Sequence, residues 1–181
     1  PDWLGAVGLL RDDSEVRIES QLTQPGFRLR SSGLDTVWIV DPNRIILQSD
    51  NWDVNCGVTA DRLIESLPWT PLTALGCNFM FRGNADAIRD WDQKTEFPPQ
   101  NFDGATAKQR SWHMAVQRDD QVFNLQMSEV DEGVEIRANV HTELRNNDVE
   151  FARNAARGFA DLRAASVDYI QQLFNTEIQY E

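Results

Sequence analysis

The chain has 181 residues, 41% hydrophobic and 25% charged, with a net charge of −12. At that length about 70% of the extended surface can be buried on folding, so one domain spanning 1–181 is expected, with a core that needs neither a disulfide framework nor a structural metal. The acidic balance lacks the basic footprint of an ordinary nucleic-acid binder, and no apolar run approaches the ~20 residues that span a bilayer.

Strand signals dominate the first half. Val16-Arg17-Ile18-Glu19 alternates, and Phe27-Arg28-Leu29-Arg30 alternates again after the breaker Pro25-Gly26. Thr36 to Val40 and Ile45 to Leu47 flank Asp41-Pro42-Asn43-Arg44. Asp binding back to the chain and Pro presetting φ suit a type I turn, so a hairpin is expected there. Thr59 is the expected cap of a short helix from Ala60 to Leu67, with Asp61 in its first turn and Pro68 ending it. Pro71 opens a strand from Leu72 to Phe81, in which Gly76 suggests a bulge or a close backbone contact. Asn84 caps a second expected helix, Ala85 to Trp91. Asp92 to Lys108 exceeds the usual connection length and reads as a mobile or functional loop, with a short strand pair as the alternative.

The second half carries the clearest pattern. Trp112, Met114 and Val116 alternate with polar residues, as do Phe123, Leu125 and Met127, and then Val134, Ile136, Ala138 and Val140. A turn at Asp119-Asp120 sets 116 against 123, 114 against 125 and 112 against 127. A four-residue loop, Val130 to Gly133, sets 127 against 136, 125 against 138 and 123 against 140. A one-residue slip would mismatch every pair, so the register is specified. The apolar side of this three-stranded meander needs a cover. Phe151, Ala155, Phe159, Leu162, Tyr169 and Ile170 recur at helical period, which predicts one helix from a cap at Asn147 or Asp148 to about Asn175. The fold class expected is α+β: antiparallel sheet, two short helices, and a long C-terminal helix on the apolar face.

Chemistry-bearing clusters are sparse. His113 and His141 fall on the polar side of the meander, about 16 Å apart at strand spacing, too far to share a metal. Cys56, in Asn55-Cys56-Gly57, has no base beside it in sequence, and Cys77 reads as strand core; both are expected to be reduced thiols. Asp41, Asp50 and Asp53 cluster, and Asp90 and Asp92 flank Trp91, but the spacing lacks the Gly and terminal Glu of a calcium loop. No phosphate-binding glycine loop, nucleophile elbow, zinc-binding His pair or Cys-x-x-Cys occurs. The basic residues are fifteen Arg against Lys94 and Lys108. That bias reads as GC-rich coding or as Arg kept for paired contact with carboxylates. Of six Trp, Trp38 and Trp112 are expected in the core, and Trp3, Trp52, Trp69 and Trp91 near element ends.

The run Leu67-Pro68-Trp69-Thr70-Pro71-Leu72-Thr73-Ala74-Leu75-Gly76-Cys77-Asn78-Phe79, with the strands and terminal helix that close the chain, resembles a sporadically distributed prokaryotic and phage family of unknown function. The resemblance implies a prokaryotic or phage origin and transfers no site residues.

The expected function is a non-catalytic interaction or assembly protein, cytoplasmic, self-associating or bound to a protein partner. No cofactor, metal, membrane or direct nucleic-acid partner is expected. Trp91, Phe97, Phe102, Tyr169, Leu173 and Phe174 are the candidate interface residues. The alternatives are an acidic decoy that occupies the basic groove of a nucleic-acid enzyme, and a hydrolase with dispersed groups such as Asp50, Asp53 and His113.

Overall fold

Among the described residues, alternating apolar and polar residues build two four-stranded antiparallel sheets, and residues with helical period build three helices, an α+β arrangement. The computed structural model describes residues 5, 16–20, 26–31, 35–83, 101–102, 105–106, 111–130, 133–144 and 148–174. These group into two compact units, each made from two stretches of chain. Unit 1 draws on 1–73 and 144–160, and unit 2 on 74–143 and 161–181.

In unit 1, strands β1 (Val16–Ser20), β2 (Phe27–Ser31), β3 (Val37–Asp41) and β4 (Arg44–Gln48) pair in chain order. Gly26, at φ +131°, opens β2 where an added Cβ would lie 2.5 Å from the Val40 carbonyl oxygen. The expected hairpin forms. Asp41 Oδ1 accepts from the N–H groups of Asn43 and Arg44 at 2.9 and 3.0 Å, and neither Pro42 nor Asn43 has a positive φ. Leu29 and Trp38 are buried with Leu63 of helix α1 (Cys56–Ser66), and Val16 and Leu47 pack beside them.

Helix α1 begins earlier than expected. Its cap is Asn55, whose Oδ1 accepts from the Gly57 N–H at 3.0 Å, and not Thr59. An Asn side chain caps as well as Thr, and starting at Cys56 buries both Cys56 and Gly57. Asp61 therefore lies inside the helix and not in its first turn.

In unit 2, strands β5 (Ala74–Gly83), β8 (Ser111–Arg118), β9 (Gln121–Val130) and β10 (Gly133–Glu143) form a sheet in the order β5-β10-β9-β8. The meander register is as expected: Val116 faces Phe123, Leu125 faces Ala138, and Met127 faces Ile136. Asp119 turns the first hairpin with φ 53°, a left-handed conformation that Asp tolerates better than most residues. Gly133 pairs with Val130, so the strands run further into the second turn than a four-residue loop allows. The apolar side is buried, with Phe81, Phe123, Met127, Val134 and Val140 at 0 to 1% exposure. Gly76 makes no bulge: β5 pairs with β10 without interruption from Ala74 to Gly83, and the nearest atom to an added Cβ is Asn139 Nδ2 at 3.9 Å.

A further expectation needs correction. The C-terminal helix is not continuous. Asp148 caps α2 (Val149–Arg157), its Oδ1 accepting from the Phe151 N–H at 2.9 Å. Gly158, a poor helix former, closes α2, and α3 (Phe159–Phe174) follows. The break falls near the crossing from one unit to the other: α2 lies in unit 1 and most of α3 in unit 2. The stripe read as one face is thus divided between two units. Within 92–108 the described residues form the strand pair given as the alternative there, β6 (Asn101–Phe102) with β7 (Ala105–Thr106); two-residue strands are too short to show alternation in sequence. The helix expected at 85–91 lies outside the described residues.

Candidate interaction surface

Sheet register decides which side chains share a face. In unit 1, Ile18, Leu29, Trp38 and Leu47 form one cross-strand row, and Ser20, Phe27, Val40 and Ile45 form the next row on the same side. The first row centres on the buried Leu29 and Trp38. Helix α1 contributes Leu63 to that cluster. At eleven residues the helix spans only about 16 Å. The flanks of the same apolar side emerge into solvent: Ile18 is 64% exposed, Phe27 41% and Ile45 43%. These three are among eight exposed large hydrophobics in the described residues, and they lie in two neighbouring rows on one side of the sheet, Phe27 and Ile45 flanking Val40 and Ile18 in the row beside them. The Trp38 Nε1–H, buried under the same face, has no hydrogen-bond partner among the described residues.

The opposite side of this sheet carries Arg17, Arg28 and Arg30 with Glu19. Residues 16–48 hold four Arg against three carboxylates in a chain of net charge −12. The sheet is thus locally cationic in an acidic molecule. Trp69, in the turn Leu67 to Thr70, is 94% exposed.

Chain order hid the patch because Phe27 and Ile45 read as ordinary inward strand residues. The signal lay in the count: the sheet offers more apolar positions than an eleven-residue helix can cover.

The strongest electrostatic feature is structural. Asp61 of α1 accepts from Arg153 Nε at 2.7 Å and lies 3.1 Å from Arg157 Nε, both on α2. Arg153 also reaches Glu65 at 3.0 Å, and Arg157 reaches Glu150 at 3.1 Å. The hydrogen bond from Arg153, with further help from Arg157, holds the Asp61 carboxyl below its ordinary range despite partial burial. Asp61→Asn is expected to cost about 1–2 kcal/mol at pH 7, since it leaves two guanidinium groups facing a neutral amide. A depressed carboxyl stabilises above its unfolded value and loses that contribution as pH falls through its folded one. The gap between wild type and Asp61→Asn in urea titrations should therefore narrow below about pH 4. An equal gap at pH 3 and pH 7 would refute the assignment.

The other candidates scatter. Asp41 is committed to its turn. The Asn43 N–H first, then the Arg44 guanidinium at 2.6 Å, hold its carboxyl below the usual value. Asp50 and Asp53 are exposed. His113 and His141 sit on the polar side of the unit 2 sheet, on β8 and β10 with β9 between them. That side also carries an amide ladder: Asn139 Nδ2 donates to Asn78 Oδ1 at 2.6 Å, and Asn124 Nδ2 to Asn139 Oδ1 at 3.5 Å. Cys56 and Cys77 are buried free thiols. No group of three or more His, Cys, Asp or Glu among the described residues could hold a metal ion, and no helix among them is long and apolar enough to cross a membrane.

Of the candidate interface residues, Tyr169 meets Phe123 edge-on, the ring centroids 5.1 Å apart at 79°. Leu173 is half-buried. Phe102 and Phe174 lie in β6 and α3. Trp91 and Phe97 lie outside the described residues, as do Trp3, Asp90 and Asp92. Trp52 and Trp112 are half-buried. Comparison with known protein families, with curated proteins and with solved structures finds no match to this chain.

Proposed function

We propose that this is a non-catalytic interaction and assembly protein that associates with itself through the unit 1 sheet. One observation carries the reading: the apolar side of that sheet continues past its core into exposed Ile18, Phe27 and Ile45. An apolar patch on a charged surface is typical of association sites. The hydrolase alternative has less support, since Asp41 is held in a turn, Asp50 and Asp53 belong to unit 1, and His113 belongs to unit 2. The acidic-decoy alternative sits poorly with a sheet that is locally cationic.

The same reading treats residues 1–181 as one cooperative domain. Each unit takes chain from both sides of the other, so neither can be cut out as one contiguous piece. It also takes α3 as the cover of the apolar side of the unit 2 sheet. The Phe123–Tyr169 ring contact and the full burial of Ile170 support this.

Sedimentation equilibrium over a wide concentration range tests the proposal. The weight-average mass of the wild type should rise from one chain toward two. Ile18→Glu should hold the protein at one chain by placing a charge in the patch. A wild type that stays monomeric at the highest concentration refutes self-association.

A further inference from the structure

We infer that β1 is the contact edge, and that two copies pair there as antiparallel strands about a two-fold axis through Ile18; this rests on the self-association proposed above and names its surface. Among the described residues β1 is bonded on one side only, to β2. An edge strand offers backbone donors and acceptors to another strand. The sequence of β1, Val16-Arg17-Ile18-Glu19-Ser20, is complementary to itself when reversed. Pairing centred on Ile18 sets Ile18 against Ile18 of the second copy, Arg17 against its Glu19, and Glu19 against its Arg17. Opposite charges directly across a strand pair stabilise it, and like charges weaken it.

Within one copy Glu19 already faces Arg28 of β2, but Arg17 is poorly matched. Arg17 lies directly across from Arg30 of β2. Its contact with Glu19 on its own strand is 3.8 Å, between side chains 79% and 46% exposed. Pairing at β1 gives each Arg17 a carboxylate directly opposite. It also gives Ile18, the most exposed aliphatic residue of the patch, an apolar neighbour. The row Leu47, Trp38, Leu29, Ile18 would then run on across the axis into the same row of the second copy. The other edge, β4, lacks this match: reversed about Ile46, Arg44 meets Gln48 and no carboxylate faces it. A contact that maps each residue onto its own counterpart closes at two copies.

Charge reversal in the full chain tests this. Arg17→Glu sets Glu against Glu19 twice, and Glu19→Arg sets Arg against Arg17 twice. Each single variant should raise the dimer dissociation constant by about tenfold or more. An equimolar mixture of the two should restore association as a heterodimer, and the double variant Arg17→Glu/Glu19→Arg should restore the homodimer. A role for the Arg17–Glu19 contact inside one strand would be lost in both single variants and would not return on mixing. Failure of the mixture to associate, or single variants that associate like wild type, overturns pairing at β1 while leaving self-association standing. A wild type that never associates overturns both.

Discussion

Phe123→Ala is expected to remove about 3–5 kcal/mol of stability, most of what a domain of this size has to spare. Phe123 is fully buried, it sits between Val116 and Val140 in register, and the edge of Tyr169 meets its ring. The substitution leaves a cavity among strands whose backbone bonds hold them in place, and it ends an aromatic pair that adds about 0.5–1.5 kcal/mol beyond area. Urea unfolding by circular dichroism should show the midpoint falling sharply. A chain of this length should lose about 10 °C or more in Tm. Fluorescence of a variant that keeps Trp38 as its single Trp, and so reports on unit 1, should shift by the same amount if the two units unfold as one domain. A loss under 1 kcal/mol would mean that Phe123 is not a core residue. Two separate transitions would reject the single cooperative domain.

Gly57→Ala is expected to be destabilising by about 2 kcal/mol, although alanine is the better helix former. An added Cβ would lie 2.2 Å from the Ala156 carbonyl oxygen and 2.4 Å from Phe159 Cβ. Neither is the tip of a flexible side chain, so α1 and the Ala156–Phe159 segment must part. Ala152 and Ala156, nearly fully buried, show that this helix pair depends on small residues for close approach. Parting the helices would also stretch the 2.7 Å contact between Asp61 and Arg153. Gly57→Ala should therefore lower Tm and reduce the cost of a second change, Asp61→Asn. Thermal denaturation of the four combinations checks this, and an unchanged or raised Tm in Gly57→Ala refutes it.

How much of this was legible in the chain depends on sequence distance. The β8–β9–β10 register was readable because each turn joins neighbours in sequence, and every apolar pair agreed at one register only. The Asp41 turn and the Asp148 cap were readable because their bonds close within three residues. The start of α1 was misplaced because Asn55 and Thr59 are both good caps, and the choice between them is made by burial of Cys56 and Gly57. The exposed patch was missed because exposure depends on how far a cover reaches, which alternation does not encode.

Period and alternation by themselves determined that residues 111–143 fold as a meander with one apolar side and that 149–174 are helical, because those signals are local and repeat. Only the tertiary structure decided that β5 joins the meander through β10, that the final helix ends and restarts at Gly158, and that Asp61 meets Arg153 across 92 residues. Those outcomes turn on which surfaces meet in space, and pairing over such distances leaves no periodic trace in one sequence.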